Sequence, residues 1–127
     1  VAMSSENEAV LREFLGLWAT RDAAAMAAMF AADGVYDNVP EQRPMAGREA
    51  IRAWLDGVFA HLDRIEVEIL TIASNGEWVL DERIDDHIKG TTHMPLPVMN
   101  ATRIVDGKIV LFRDYYDRVT VKDLGMG

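Results

Sequence analysis

The chain has no cysteine, which rules out a disulfide framework, a thiol nucleophile and a thiolate metal site. Half of its 127 residues are apolar, yet no run approaches the roughly 18 apolar residues a membrane span requires. Positive charge is scarce: the net charge is -8, and the few basic residues are scattered. The basic stripe that binds nucleic acid or an anionic membrane is missing, so neither is expected as a partner. There is no glycine-rich dinucleotide fingerprint and no Walker loop, so no nucleotide is implied. His61, His87 and His93 show no metal-ligand spacing, and neither metal nor another cofactor is expected. Ser4, Ser5 and Ser74 fall in a helix cap and a turn, unlike a nucleophile on a strand-to-helix elbow. No basic-then-apolar leader opens the chain. Met3, after Val1-Ala2, reads as the native start, and a cytoplasmic protein is expected.

What is present reads as one domain over residues 1–127. Ser5-Glu6-Asn7-Glu8 is a capping box, followed by Val10, Leu11, Phe14, Leu17 and Trp18 on one side of a helix. Asp22 caps a short second helix that runs through Phe30, and a strand is expected around Val35 to Val39. A loop from Pro40 to Gly47 leads to a third helix. There Ile51, Trp54, Leu55, Val58, Phe59 and Leu62 keep amphipathic spacing. The pattern then turns to strands: Ile65 to Ile72, Trp78 to Ile88, a segment interrupted by Pro95 and Pro97 that resumes as Val98 to Val105, and Lys108 to Val121. Asn75-Gly76, Lys89-Gly90 and Asp106-Gly107 supply the hairpin turns. The prolines predict a bulge or an edge segment. In the last strand, Ile109, Leu111 and Tyr115 are expected opposite Val110, Phe112, Asp114 and Tyr116. Helices first and then an antiparallel meander give an α+β architecture, helices covering one face of a curved sheet.

Three stretches put polar residues where a half-buried strand carries apolar ones: Tyr36-Asp37-Asn38, Arg83-Ile84-Asp85 and Arg113-Asp114-Tyr115-Tyr116. Residues two apart in a strand share a face. Tyr36 therefore points with Asn38, Arg83 with Asp85, and Asp114 with Phe112 and Tyr116. Each set alone is ordinary, since an Arg-x-Asp ladder on a sheet surface is common and nearly neutral in energy. If those faces meet in one cavity, the chain owns two carboxylates bridged by one guanidinium, beside a Tyr/Asn pair able to hold a water.

With those residues in view, the chain resembles the limonene-1,2-epoxide hydrolases. The resemblance rests on Tyr36-x-Asn38-x-Pro40, Glu82-Arg83-Ile84-Asp85 and Arg113-Asp114-Tyr115-Tyr116-Asp117, in order from the first helix to about Asp117. It implies the cystatin-like, NTF2-like cone, with helices on a strongly curved mixed sheet around a deep pocket. That fold also houses ketosteroid isomerases and SnoaL-type cyclases. Carried over position by position, the resemblance implies Asp114 as general base, Asp85 as proton donor, Arg83 between them, and Tyr36 and Asn38 on the attacking water. It departs from the family at His87 and at the proline-rich Met94-Pro95-Leu96-Pro97, both in the pocket lining.

The chemistry is coherent with that role. In that role Asp114 can take a proton from the water as it attacks carbon, and Asp85 can give one to the departing epoxide oxygen. Two carboxylates sharing one proton around one arginine are neutral overall, which makes burial tolerable. The expected substrate is a hydrophobic epoxide such as a terpenoid or cycloalkene oxide. Leu17, Met29, Trp54, Leu55, Phe59, Leu96, Val98, Phe112 and Tyr116 are the expected substrate-binding lining. Two alternatives stand beside the hydrolase: an isomerase or cyclase using Asp114 or Asp85 as base at a carbon acid, and a non-catalytic binding module. The outer face of the sheet, with Trp78, Leu80 and Ile84, is left without a helix to cover it, and a homodimer is expected there.

Overall fold

Side-chain caps set several boundaries of the chain. The Oδ1 of Asp22 accepts a hydrogen bond from the Ala25 amide at 2.9 Å and opens one helix. Asp117 does the same for Val119 at 2.8 Å and opens another. The structure, a computed structural model, describes residues 4–126. Val1, Ala2 and Met3, and with them the expected native start, lie outside the described residues. Among the described residues, four α-helices and six strands follow in the order α1 (Ser4–Gly16), α2 (Ala23–Ala28), β1 (Phe30–Asn38), β2 (Met45–Ala46), α3 (Arg48–His61), β3 (Arg64–Asn75), β4 (Trp78–Lys89), β5 (Thr92–Val105), β6 (Lys108–Tyr115) and α4 (Arg118–Asp123). Short 3-10 turns occupy Leu17–Thr20 and Val39–Glu41. The strands form one sheet in the order β2-β1-β6-β5-β4-β3, parallel between β1 and β6 and antiparallel elsewhere.

Several expectations from the sequence need correction. The last strand stops at Tyr115 rather than Val121, because Asp117 caps α4 and turns the chain away from the sheet. The first strand begins at Phe30, five residues early, where the Ile109 amide donates to the Met29 carbonyl at 3.0 Å. Its register then shifts before Val35, and the shift depends on Gly34. A Cβ at that position would sit 2.9 Å from the Ile109 carbonyl oxygen and 3.0 Å from that of Ala31. A second shift, between Arg103 and Ile104, breaks the expected alternation of β6, and Ile109 and Phe112 are both fully buried. Pro95 and Pro97 pair only with β4, opposite Asp86 and Ile84, since β6 joins β5 from Met99 onward. They occupy the free-edge segment that a residue without an amide proton can accept.

α1 lays Leu11, Phe14 and Leu15 on the sheet, and α3 lays Ile51, Leu55 and Phe59 beside them. Phe14 meets Phe30 and Phe112 edge-on, with ring centroids 5.4 and 5.1 Å apart. Each such fully buried ring contributes roughly 2–3 kcal/mol through lost apolar surface. This apolar floor closes one end of the space between helices and sheet, and the polar cluster begins at its margin.

Candidate active site

Alternation along β4 sends Val79, Asp81 and Arg83 inward and Leu80 and Glu82 outward. Arg83 is 1 % exposed, and three carboxylates hold its guanidinium. Its Nε and Nη2 donate to the two oxygens of Asp85 at 2.8 and 3.1 Å. Nη2 also donates to Asp114 Oδ1 at 2.7 Å, and Nη1 donates to Asp81 Oδ1 at 3.0 Å. The ring of Phe112 lies beneath, its centroid 5.6 Å from the guanidinium carbon. Burial pulls the arginine's proton affinity down, but Asp114, Asp85 and Asp81 together more than reverse this, and it remains a cation.

Arg83 and Asp114 are not on neighbouring strands. β5 runs between β4 and β6, and the long arginine spans it. The intervening strand contributes two polar groups of its own. Asn100 stands opposite both Asp81 and Asp114 in register, and its Nδ2 donates to Asp114 Oδ1 at 2.7 Å. The Thr102 hydroxyl in turn donates to the Asn100 carbonyl oxygen and fixes the amide's orientation. On the other side of β6, β1 sets Asn38 opposite Asp114 and Tyr36 opposite Phe112. Tyr36 is wedged between Trp54 and Phe112, at centroid distances of 4.8 and 4.7 Å.

Burial dominates the titration of this cluster. It raises Asp114 above the ordinary carboxylate range, with Arg83 opposing and Asp85 reinforcing the shift. It likewise raises Asp81, to about 6, again against Arg83. Burial and the Asp114 charge push the Tyr36 phenol well up, so its hydroxyl keeps its proton and can donate it in a hydrogen bond.

All five sequence-predicted polar residues therefore meet, with Tyr36, Asn38, Asp85 and Asp114 facing one cavity of about 460 Å³. Arg83 lies behind the carboxylates. Of the expected apolar lining, Trp54, Leu96, Val98 and Tyr116 do border the cavity. Leu17, Met29, Leu55, Phe59 and Phe112 do not: the structure places them in or against the apolar core. On α3 the cavity stripe is Trp54, Val58 and His61, continued by Leu62 just past the helix, while Ile51, Leu55 and Phe59 form the adjacent core stripe. Tyr116 donates its hydroxyl to Glu41 at 3.0 Å, tying the wall to the turn after β1. Sequence reasoning overlooked Asp81, Asn100 and Thr102 as members of the cluster. The period of two that exposed Arg83 and Asp85 points to them as well: Asp81 shares their face, and Val98, Asn100 and Thr102 share one on β5. His87, the departure noted above, borders the cavity, and its Nδ1 is bonded to the Asp85 carbonyl at 2.9 Å. Among the described residues, no group of three His, Asp or Glu side chains is placed to hold a metal ion.

A polar cluster at the wall of a pocket between helices and a mixed, mostly antiparallel sheet defines a class, and comparison with known proteins names it. Residues 11–112 match the family model for the SnoaL-like domain, and the chain belongs to that family. It is 34 % identical over 104 residues to the epoxide hydrolase EphG of Mycobacterium tuberculosis, a match covering 82 % of this chain and 68 % of that protein. A solved LEH-like epoxide hydrolase of M. tuberculosis superposes with a TM-score of 0.84 at 27 % identity, over 95 % of this chain and 90 % of the other. A SnoaL-like structure from Shewanella putrefaciens superposes with a TM-score of 0.85 at 13 % identity, over 98 % and 88 % of the two chains, which speaks for the fold alone. The architecture is the NTF2-like α+β cone expected from the sequence.

Proposed function

We propose that this protein is a cofactor-independent epoxide hydrolase that opens a hydrophobic epoxide to a vicinal diol by direct attack of water. The observation that carries the reading is Arg83 bonded to both Asp85 and Asp114, each presenting its carboxyl to the cavity that Tyr36 and Asn38 also border. In the reaction, Tyr36 and Asn38 hold the water and Asp114 accepts its proton as the oxygen bonds to an epoxide carbon. The carbon–oxygen bond breaks, and Asp85 delivers its proton to the leaving oxygen. The product is the diol, with the proton moved from Asp85 to Asp114 and the charge of the pair unchanged. Exchange between the two carboxyls, or with solvent, resets the site. A raised proton affinity makes Asp114 a stronger base toward water's proton than an ordinary carboxylate. Titration belongs to the cluster, not to either acid alone.

Trp18, Trp54, Ile65, Leu96 and Val98 around the cavity support a compact apolar substrate of the terpenoid or cycloalkene type. An isomerase or cyclase would use one isolated base in an apolar pocket, whereas here both acids are tied to the same guanidinium. Diol formation from a panel of hydrophobic epoxides, with chelator present, separates the hydrolase from the isomerase and from a binding module. A single turnover in ¹⁸O-labelled water then tests the step itself. Direct attack puts the label in the first diol, and an unlabelled first diol would make Asp114 a nucleophile and overturn its role as base.

The same reading includes a homodimer through the outer face of the sheet. Leu80, Met99 and Tyr115 are 49, 53 and 44 % exposed there. They lie on consecutive strands, beside a Trp78 ring stacked on Arg113 at 5.0 Å. Large apolar side chains gathered on one uncovered sheet face favour a partner surface there. Light scattering that returns a monomer mass at micromolar concentration defeats this part of the proposal.

A further inference from the structure

Arg83 carries one positive charge and touches three carboxylates, although the proposed reaction uses only two of them. The third, Asp81, is 1 % exposed and, like Arg83, lies outside the cavity lining. Its Oδ1 accepts from Arg83 Nη1 at 3.0 Å, and its Oδ2 is buried with no hydrogen-bond partner among the described residues. A fold that needed only a clamp on Nη1 could use a neutral acceptor, because a second buried anion beside Asp85 and Asp114 costs stability unless its charge has a use.

The surroundings of Asp81 are simple enough to say what that charge acts on. On its own strand the ionisable neighbours are Arg83 and Asp85, and β6 adds Asp114. β5 presents the neutral Asn100 and Thr102, β3 sets Ile72 opposite, and Tyr36 of β1 keeps its proton. α1, which packs on β4, buries Asn7, Leu11 and Phe14, and its Glu8 is engaged by Ser74. Asp81 therefore acts on one group of titrating partners, the Asp85–Asp114 pair, with Arg83 between.

We propose that Asp81 is a positioning residue that sets the proton count of the site: its negative charge on Arg83 keeps the proton shared by Asp85 and Asp114 in place to higher pH than one guanidinium and two carboxylates would. The inference rests on the hydrolase reading for its catalytic consequence, but not for its electrostatics. With Asp81 ionised, the cluster that holds one shared proton carries -1 rather than zero, and losing that proton would leave -2 in a buried space. A neighbouring anion raises a carboxyl's proton affinity, so removing it lets the shared proton go at lower pH. The raised affinity of Asp81, about 6, means that this charge is present at and above neutrality, where the proton is hardest to keep.

The test is Asp81→Asn, whose amide oxygen still accepts from Nη1 while the charge is gone. The alkaline limb of the kcat/KM profile should move down by about one pH unit, with maximal kcat within about tenfold of wild type. The side-chain carboxyl ¹³C titration of Asp114 should move the same way, and it needs no substrate. A lowered rate with unmoved limbs and unmoved NMR midpoints assigns Asp81 a structural role only and overturns the proposal. So does a shift to higher pH. If no epoxide is turned over by the wild type, the functional reading fails while the NMR midpoints still judge Asp81. Should the Asn variant not fold, Asp81→Thr removes the same charge at similar volume, keeps an acceptor oxygen, and must give the same direction of shift.

Discussion

The two sides of the Arg83 guanidinium differ in what they face. On one side Asp85 and Asp114 open onto the cavity beside Tyr36 and Asn38, and on the other Asp81 is sealed among Asn100, Ile72 and the helix α1. Asp81 and Asp85 stand two residues before and two residues after the same arginine, on the same face of the same strand, and each accepts one or more of its hydrogen bonds. Chemical identity and bonding partner are shared, so the difference in role comes from where the cavity reaches. An acid at the cavity wall can exchange a proton with a substrate. An acid behind the arginine can only change the field in which that exchange happens.

The strongest way to break this contrast is to neutralise the open side. Asp114→Asn and Asp85→Asn should each lower kcat/KM by more than about 1,000-fold, since in the proposed mechanism one removes the acceptor for water's proton and the other the donor to the epoxide oxygen. Retention of more than a tenth of the rate in either variant would remove that residue from the proposed mechanism. Arg83→Ala should be nearly as damaging to activity. It should also destabilise the fold by about 3–5 kcal/mol near pH 8, because three carboxylates then lose their common cation. Lowering the pH toward 5 should restore part of that stability as the carboxyls take up protons, and urea unfolding at the two pH values checks it.

Smaller losses are expected from the groups assigned to the water. Tyr36→Phe and Asn38→Ala should each cost about 10- to 1,000-fold in kcat, on the order of 1.5–4 kcal/mol, since each removes one hydrogen bond out of several. The Phe variant keeps the ring between Trp54 and Phe112, so its melting temperature should hardly move. A large loss of stability in it would mean that the hydroxyl serves the fold rather than the reaction.

The same contrast shows what a sequence can disclose. Tyr36, Asn38, Arg83, Asp85 and Asp114 were legible because each interrupts an apolar alternation, and their families of faces could be aligned before any strand order was known. Asn100 and Thr102 interrupt the alternation of β5 in the same way, but they belong to no set that suggests chemistry, and only the sheet order shows that Arg83 must pass over them to reach Asp114. The lining of the cavity was half legible for a geometric reason. On α3, Trp54 and Leu55 are adjacent in sequence, roughly 100° apart around the axis, and both lie within one apolar arc. Periodicity identifies the arc, yet which edge of it meets the core and which meets empty space depends on elements the helix does not encode. The end of β6 was overrun because Val119 and Val121 continue an apolar alternation, while the local cap at Asp117 ends the strand.

The smallest expected effect sharpens the comparison from the sealed side, and it is read in stability rather than rate. Asp81 has a folded-state proton affinity raised from 3.8 to about 6, with burial as the main cause. A raised value means that the native state binds more protons than the unfolded chain between those two pH values. Stability from this group is therefore fully present below about pH 4 and is lost as the pH rises through 6. Asp81→Asn has no such loss, so the variant should gain on the wild type across that window by up to about 3 kcal/mol, the product of the shift and 1.36 kcal/mol per unit. Any fall in the affinity of Asp114 in the variant adds to the gap with the same sign. Urea unfolding of both proteins at pH 4.5, 6 and 7.5 measures it as a difference, in which the titration of distant groups cancels. A gap that is flat across the three pH values would mean that Asp81 is ionised at no cost, and retention of its charge for the sake of the open side would then lose its physical basis.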